Sequence, residues 1–225
     1  MPEDEAKNAS QRETAAGWYR RFHLTDYVTL LHLPFAATLI SFAIIGSAMA
    51  PSLDFGRMAM ALVAVFFAHQ GSHYLDETRG HPWNTKIPNS TLYALGFLFL
   101  AIGVAAGIYL LFSVSLILVF FFIPLVFFPI AYSMELWKGR FHSPLSFGIS
   151  GALVCLGSYF LQSLGISPAS VLMSAAICIQ CIYIIVLYEK TKEGMTRNLA
   201  WSTLKAIILI WLFIAASFLL MKIAW

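Results

Sequence analysis

Residues 90–133 read STLYALGFLFLAIGVAAGIYLLFSVSLILVFFFIPLVFFPIAYS and contain no charged side chain. An α-helix needs roughly 20 apolar residues to cross the hydrocarbon core of a bilayer, so this stretch is long enough for two crossings. We expect two helices, 90–112 and 113–133, joined by a tight turn at residues 112–115. Backbone groups in lipid must find their partners within the segment, which favours helix for both.

The rest of the chain has the same apolar character. It has 225 residues, of which 60% are hydrophobic and 11% are charged, whereas soluble domains carry roughly 25% charged residues. We therefore predict an all-α fold, a polytopic integral membrane bundle of about seven transmembrane helices. Residues 1–24 form a polar N-terminal segment, and residues 25–225 form one membrane-embedded domain. The five further apolar runs are 26–50, 57–77, 144–163, 167–188 and 201–224.

The basic residues predict the orientation, because Lys and Arg accumulate on the cytoplasmic side of membrane proteins. With a cytoplasmic N-terminus, only Arg57 and Lys222 of the 14 basic residues face outside. We therefore expect the C-terminus to lie outside and the segments 78–89, 134–143 and 189–200 to be cytoplasmic. Nothing in the net charge of +3 indicates nucleic acid. The inside set is Lys7, Arg12, Arg20, Arg21, Arg79, Lys86, Lys138, Arg140, Lys190, Lys192, Arg197 and Lys205.

Two pairs of glycines predict close helix packing. Gly103 and Gly107 are four residues apart in one span, and Gly148 and Gly151 are three apart in another. Residues at these spacings lie on the same helix face, and small side chains there let two helices approach closely in lipid. We expect both faces to pack against neighbouring helices.

The end of the second span carries the residues with most chemical potential. Residues 64–85 read AVFFAHQGSHYLDETRGHPWNT, in which His69, His73, Asp76 and Glu77 follow a dense apolar run. Offsets of four, seven and eight place them on one face of a helix. Ionisable groups at membrane depth usually face the bundle interior or a cavity. We therefore expect the two imidazoles and at least one of the carboxylates to converge on one pocket, although solvated or paired side chains, for instance Asp76 with Arg79, are the plainer alternative.

A second acidic cluster ends the sixth span. Glu189 and Glu193 stand one helical turn apart on the predicted cytoplasmic side, where surface pairs with Lys192 and Arg197 would also explain them. A shared cavity is an economical way to keep two acidic clusters near membrane depth. We therefore expect Glu189 and Glu193 to lie near Asp76.

Three segments carry a resemblance to a known family. The first reads Ser72-His73-Tyr74-Leu75-Asp76-Glu77-Thr78-Arg79-Gly80, the second reads Glu189-Lys190-Thr191-Lys192-Glu193, and the third holds Tyr132, Lys138 and Arg140. They resemble the motifs of the UbiA superfamily of intramembrane prenyltransferases, which have the forms N-D-Y-F-D-x-x-x-G and D-x-x-x-D and a basic loop after the fourth helix. Ser72 and His73 replace the Asn and the first Asp, and Glu replaces Asp in the second motif.

The resemblance implies a function and a set of ligands. A divergent UbiA-type enzyme would transfer an isoprenoid group from a diphosphate to a membrane-associated acceptor. Mg²⁺ would be held by the carboxylates of Asp76, Glu77, Glu189 and Glu193, with His69 and His73 as further metal ligands. The diphosphate would be bound by Arg79, Tyr132, Lys138 and Arg140, and the catalytic groups would be Asp76, Glu77 and His73. The implied partners are membrane lipid and isoprenoid diphosphate, with a membrane protein or a second copy of the chain as a further partner.

Two other functions stay open. Imidazole is a poor Mg²⁺ ligand and suits zinc or iron, so His69 and His73 also favour a transition-metal-dependent membrane enzyme. The incomplete motifs favour a non-catalytic subunit that binds a lipid or quinone or assists assembly. We interpret His32 and Pro34 in the first span mainly as a helix-interior hydrogen bond and a kink, with His32 as a pocket residue as the alternative.

Overall fold

The computed structural model describes residues 24–79, 82–192 and 197–224. Within these ranges the fold is all-α and contains no strand, which confirms the predicted helical bundle. The helices are α1 (Leu24–Leu31), α2 (Leu33–Met49), α3 (Phe55–Glu77), α4 (Asn89–Ser113), α5 (Val119–Ser133), α6 (Pro144–Ser163), α7 (Pro168–Lys192) and α8 (Arg197–Ala224). A 3₁₀ turn at Leu116–Leu118 separates α4 from α5, and a short helical turn at Leu136–Gly139 follows α5.

The helices match a polytopic membrane protein. In the described part of the chain, six helical segments are long and apolar enough to cross a membrane, with α1 and α2 together forming the first. The remaining predicted span, 57–77, corresponds to α3, which has 23 residues but is less apolar. Its polarity comes largely from the last two and a half turns, where His69, Gln70 and His73 lie.

The first predicted span, 26–50, is interrupted. α1 ends at Leu31 and α2 begins at Leu33, and His32 between them has φ 44° and ψ 44°, in the left-handed region. Pro34 explains why the helix cannot run through, because proline has no N–H to donate to the preceding turn. The break changes the direction of the His32 side chain, which decides the geometry of the site.

The glycine pairs pack as predicted. A Cβ added at Gly148 would lie 2.8 Å from the carbonyl oxygen of Cys178, and one at Gly103 would lie 2.8 Å from the main-chain nitrogen of Ala68. These contacts bring α6 against α7 and α4 against α3. The closest approach is at Gly46 of α2, where an added Cβ would overlap the carbonyl oxygen of Cys155 on α6.

The core lies where α2, α6, α7 and α8 meet. Phe42, Cys155, Ile177 and Cys181 are fully buried there, and α2 contacts α3 on another side. At one end of the bundle, Lys222 of α8 donates hydrogen bonds of 2.7 and 2.8 Å to the carbonyl oxygens that follow α2. We call the opposite end, where α2 and α6 begin and α3, α5 and α7 end, the polar end.

Candidate functional site

Three histidines form a cluster at the polar end. One ring nitrogen from each of His32, His69 and His73 can be chosen so that all three lie within 4.8 Å of one another. Nδ1 of His32 and Nε2 of His73 are 3.2 Å apart and share a hydrogen bond whose direction depends on the tautomers. The rings of His69 and His73 are 4.4 Å apart between centroids. We call these three residues the histidine triad.

The helix break positions His32 in the triad. Ending α1 at Leu31 frees its carbonyl oxygen, which accepts a 2.7 Å hydrogen bond from Nε2 of Gln70. Gln70 is 1% exposed and adjoins His69 on α3, so the same turn of α3 supplies a triad member and fixes the break. A left-handed conformation costs a non-glycine residue energy, and such strain persists where surrounding contacts enforce it.

Aromatic side chains fix the rings of the triad. His32 stacks on Phe35 with centroids 4.4 Å apart and contacts Trp83 at 4.2 Å. Trp83 in turn lies against Tyr188 of α7, with centroids 5.7 Å apart. These contacts restrict the rotamer of His32 from both sides, so the triad is held by packing as well as by its own hydrogen bond.

Two nitrogens of the triad have no hydrogen-bond partner. Within the described residues, Nε2 of His69 and Nδ1 of His73 are buried and unpaired. A buried polar atom without a partner costs roughly 1–3 kcal/mol, and such atoms are rare in folded proteins. The triad therefore has unused binding capacity in the interior of the bundle.

The triad opens onto a long cavity between the helices. Its volume is about 350 Å³, within the range of small-molecule sites. The wall away from the polar end is mainly apolar, with Ser158 as a polar member, and includes Leu110, Leu118, Phe121 and Gly157. The ionisable residues of the described lining lie at the polar end and are His32, His69, His73, Asp76, Arg79, Tyr132, Glu135, His142 and Tyr188.

Three of the predicted site residues line this cavity beside the triad. Asp76 lies one helical turn beyond His73, and Arg79 follows the end of α3. The guanidinium of Arg79 forms an ion pair with Glu135 at 3.5 Å. Tyr132 stacks on His142, with ring centroids 4.1 Å apart. The structure thus brings Asp76, Arg79 and Tyr132 together.

Glu77 lies elsewhere. It is fully buried, does not line the cavity, and accepts hydrogen bonds from the loop that follows α3. One carboxylate oxygen binds the main-chain N–H of Trp83 at 2.9 Å. The other binds the N–H and the hydroxyl of Thr85 at 2.9 and 2.7 Å. These contacts hold the loop, and with it Trp83, against the triad.

The other predicted residues lie outside the described cavity wall. Lys138 and Arg140 are exposed near the polar end and are not part of the described lining. The side chain of Glu189 and the whole of Glu193 lie outside the described residues. Tyr188, immediately before Glu189, does line the cavity.

His32, which the sequence placed mainly in a kink, lines the cavity. Glu135 and His142 also line it, and the sequence did not indicate them as site residues. A signal for His32 was present. It lies about two turns inside the first span from its predicted cytoplasmic end, the same depth as His69 in the second span. Two antiparallel helices place such residues at the same level.

Comparisons with known proteins place the chain in no family. No protein-family model, no curated protein and no solved structure matches it.

Proposed function

We propose that this protein is a membrane-embedded transferase that binds an isoprenoid diphosphate. The isoprenoid tail lies in the cavity and the diphosphate head group lies at the polar end. The observation that supports this most is the division of the cavity wall into a long apolar part and one ionisable end. A lipid with an anionic head matches that division, because each part of the ligand meets a surface of its own polarity. The UbiA resemblance supplies the reaction.

In that reaction the bond between the isoprenoid carbon and the bridging oxygen breaks, and the diphosphate leaves with the electron pair. The acceptor forms a new bond to the carbon and loses a proton. Arg79 lines the cavity where a diphosphate would lie and can donate two parallel hydrogen bonds to it. We assign acceptance of the proton to Asp76, which lies in the same wall.

Magnesium, which the resemblance implies, fits the described residues poorly. Of the four carboxylates expected to hold it, only Asp76 is a described part of the cavity wall. Both carboxylate oxygens of Glu77 accept hydrogen bonds from the loop that follows α3. The neighbouring imidazoles are poor ligands for a hard cation that prefers oxygen. We therefore assign no step of the transfer reaction to magnesium.

A second candidate is a non-catalytic lipid-binding subunit. The ion pair between Arg79 and Glu135 favours it, because the cation expected to bind diphosphate already has a carboxylate partner. Such a protein would use the apolar part of the cavity and would not cleave the ligand.

Binding measurements on the purified chain in detergent separate the two candidates. The probes are farnesyl diphosphate, farnesol and inorganic diphosphate. A transferase should bind farnesyl diphosphate most tightly, bind farnesol more weakly, and release inorganic diphosphate when a membrane extract supplies the acceptor. Equal binding of farnesol and farnesyl diphosphate without release would support the lipid-binding subunit. Binding of neither isoprenoid would reject both candidates.

A matched pair of substitutions tests the cavity itself. A Cβ added at Gly157 would lie 3.4 Å from Phe121, an ordinary contact, so Gly157→Ala should bind both isoprenoids as the native chain does. The longer side chain of Gly157→Leu must enter the cavity and should weaken both. Unchanged binding in Gly157→Leu would place the lipid elsewhere.

A further inference from the structure

We propose that the histidine triad is a binding site for a divalent transition-metal ion, with Zn²⁺ as the reference ion. Three imidazoles from two separate segments converge within 4.8 Å, although His32 lies 37 and 41 residues from the others in sequence. Imidazole nitrogen suits zinc, iron, nickel and copper and not magnesium. Three protein ligands with a fourth position open is the arrangement of catalytic zinc sites.

The distances are close to those of a metal site. Nitrogens bound tetrahedrally to zinc at 2.0–2.1 Å are roughly 3.3 Å from one another. Nδ1 of His32 and Nε2 of His73 are already 3.2 Å apart. The third nitrogen lies within 4.8 Å of the other two, so reaching this spacing needs a movement of at most about 1.5 Å, which a small change in side-chain torsion can supply.

The unpaired nitrogens are an independent observation. Nε2 of His69 and Nδ1 of His73 have no hydrogen-bond partner within the described residues, and His69 is 7% exposed. A bound cation would give the unpaired nitrogen of His69 a partner without requiring a polar neighbour. If His69 served only in packing, its Nε2 would have no partner within the described residues.

The fold also prepares the site before any ion binds. His32 is fixed by the left-handed break, by the Gln70 hydrogen bond and by stacking on Phe35. Strained backbone conformations often occur at ligand sites, because they fix the direction of a binding side chain. All three histidines line the cavity, so the fourth coordination position of an ion would face the space assigned to the lipid head group.

Zinc uptake by the purified chain tests this inference. The protein should carry no polyhistidine tag and should be treated with a chelator before titration with Zn²⁺, and with Co²⁺ as a spectroscopic substitute. We expect one ion per chain and a visible cobalt spectrum typical of four-coordinate Co²⁺ with three nitrogen ligands. Excess Mg²⁺ should not compete. A native chain that takes up no more zinc than the H32A/H69A/H73A triple variant would overturn the site.

Single variants assign the ligands. H32A, H69A and H73A should each weaken zinc binding by more than the 10–100-fold typical of losing a group that only supports a ligand. H142A is the matched control, because His142 lines the same cavity but stacks on Tyr132 outside the triad. Equal losses in H142A and H32A would contradict the assignment. If H69Q binds zinc more weakly but unfolds at a near-native temperature, the loss of metal is not caused by loss of the fold.

The inference stands apart from the proposed function. Zinc binding can be present whether or not farnesyl diphosphate binds, and each is measured without the other. Failure of zinc binding with intact isoprenoid binding would remove the metal site alone. Zinc binding without isoprenoid binding would exclude an isoprenoid substrate and leave a metal centre that faces an apolar cavity.

Discussion

The side-chain amide of Gln70 donates a 2.7 Å hydrogen bond to the carbonyl oxygen of Leu31, the last residue of α1. This bond joins the helix break to the turn of α3 that carries His69. It makes the position of His32 depend on a residue that would not itself bind metal or lipid.

Replacing Gln70 with leucine should therefore weaken zinc binding by about 10–100-fold, the usual cost of losing a group that orients a ligand. The loss in stability should be only about 1 kcal/mol. The lost hydrogen bond costs roughly 1–3 kcal/mol, but Oε1 of Gln70 is itself buried without a partner within the described residues, and its removal offsets part of the loss. Zinc titration and thermal unfolding measure the two effects.

Gln162 provides the control for this change. Its side chain makes two hydrogen bonds to the main chain of Asp54, at 2.8 and 3.1 Å, at the opposite end of the bundle. Gln162→Leu should destabilise the protein and leave zinc affinity unchanged. Native zinc affinity in Gln70→Leu would show that the break needs no such support.

Glu77→Gln should release the loop that covers the triad. The amide keeps one acceptor oxygen and turns an NH₂ group toward a main-chain N–H, so a buried donor loses its partner at a cost of roughly 1–3 kcal/mol. Thr85→Val removes only the hydroxyl bond and should cost less. Thermal unfolding ranks the two variants, and hydrogen exchange at residues 83–87 reports the loop.

Zinc stoichiometry in Glu77→Gln tests the metal-ligand role that the sequence predicted for Glu77. With its oxygens engaged by Trp83 and Thr85, we expect one ion per chain to remain. Loss of the ion at native stability would instead make Glu77 a ligand.

Gly46→Ala should be the most damaging small substitution among the helical glycines. An added methyl would overlap the main chain of Cys155, and backbone cannot move aside as a side-chain end can. Overpacking of this kind costs about 1–3 kcal/mol and sometimes more. Gly165→Ala is the control, since the nearest atom to an added Cβ there is 4.0 Å away. Equal unfolding temperatures for the two variants would contradict the packing of α2 on α6.

The predicted orientation can be tested with single cysteines in a chain whose native cysteines are replaced by alanine. A cysteine at Lys138, exposed near the polar end, should react with a membrane-impermeant reagent only from the cytoplasmic side. A cysteine at Ser52, exposed at the opposite end, should react only from outside. The opposite labelling pattern would show that the orientation is inverted and that the polar end lies outside.

The helices were the most predictable part of the structure. Apolar runs predicted 144–163, and α6 is Pro144–Ser163. The predicted 90–112 became Asn89–Ser113. Length and hydropathy suffice because lipid leaves helix as the only way to satisfy the backbone within one segment. The small residues at Gly103 and Gly148 likewise indicated where helices approach.

The site was less predictable because it depends on which helices are neighbours. Periodicity placed His69 and His73 on one face, and the structure has both in the cavity wall. Pro34 indicated a kink next to His32, but the sequence could not show that the ring of His32 meets those of His69 and His73, or that the loop after α3 donates hydrogen bonds to Glu77. Both results depend on contacts between residues distant along the chain or in an irregular loop, which no local pattern encodes.

The ion pair between Arg79 and Glu135 has a consequence for ligand selection. Both side chains are more than a third exposed, so the pair contributes only roughly 0–1 kcal/mol. An incoming anion can therefore replace Glu135 as the counter-ion of Arg79 at small cost, and the charge around the guanidinium stays balanced. A neutral head group offers no such exchange and leaves the two side chains joined. Glu135 thereby gives an anionic head group a small advantage over a neutral one at Arg79.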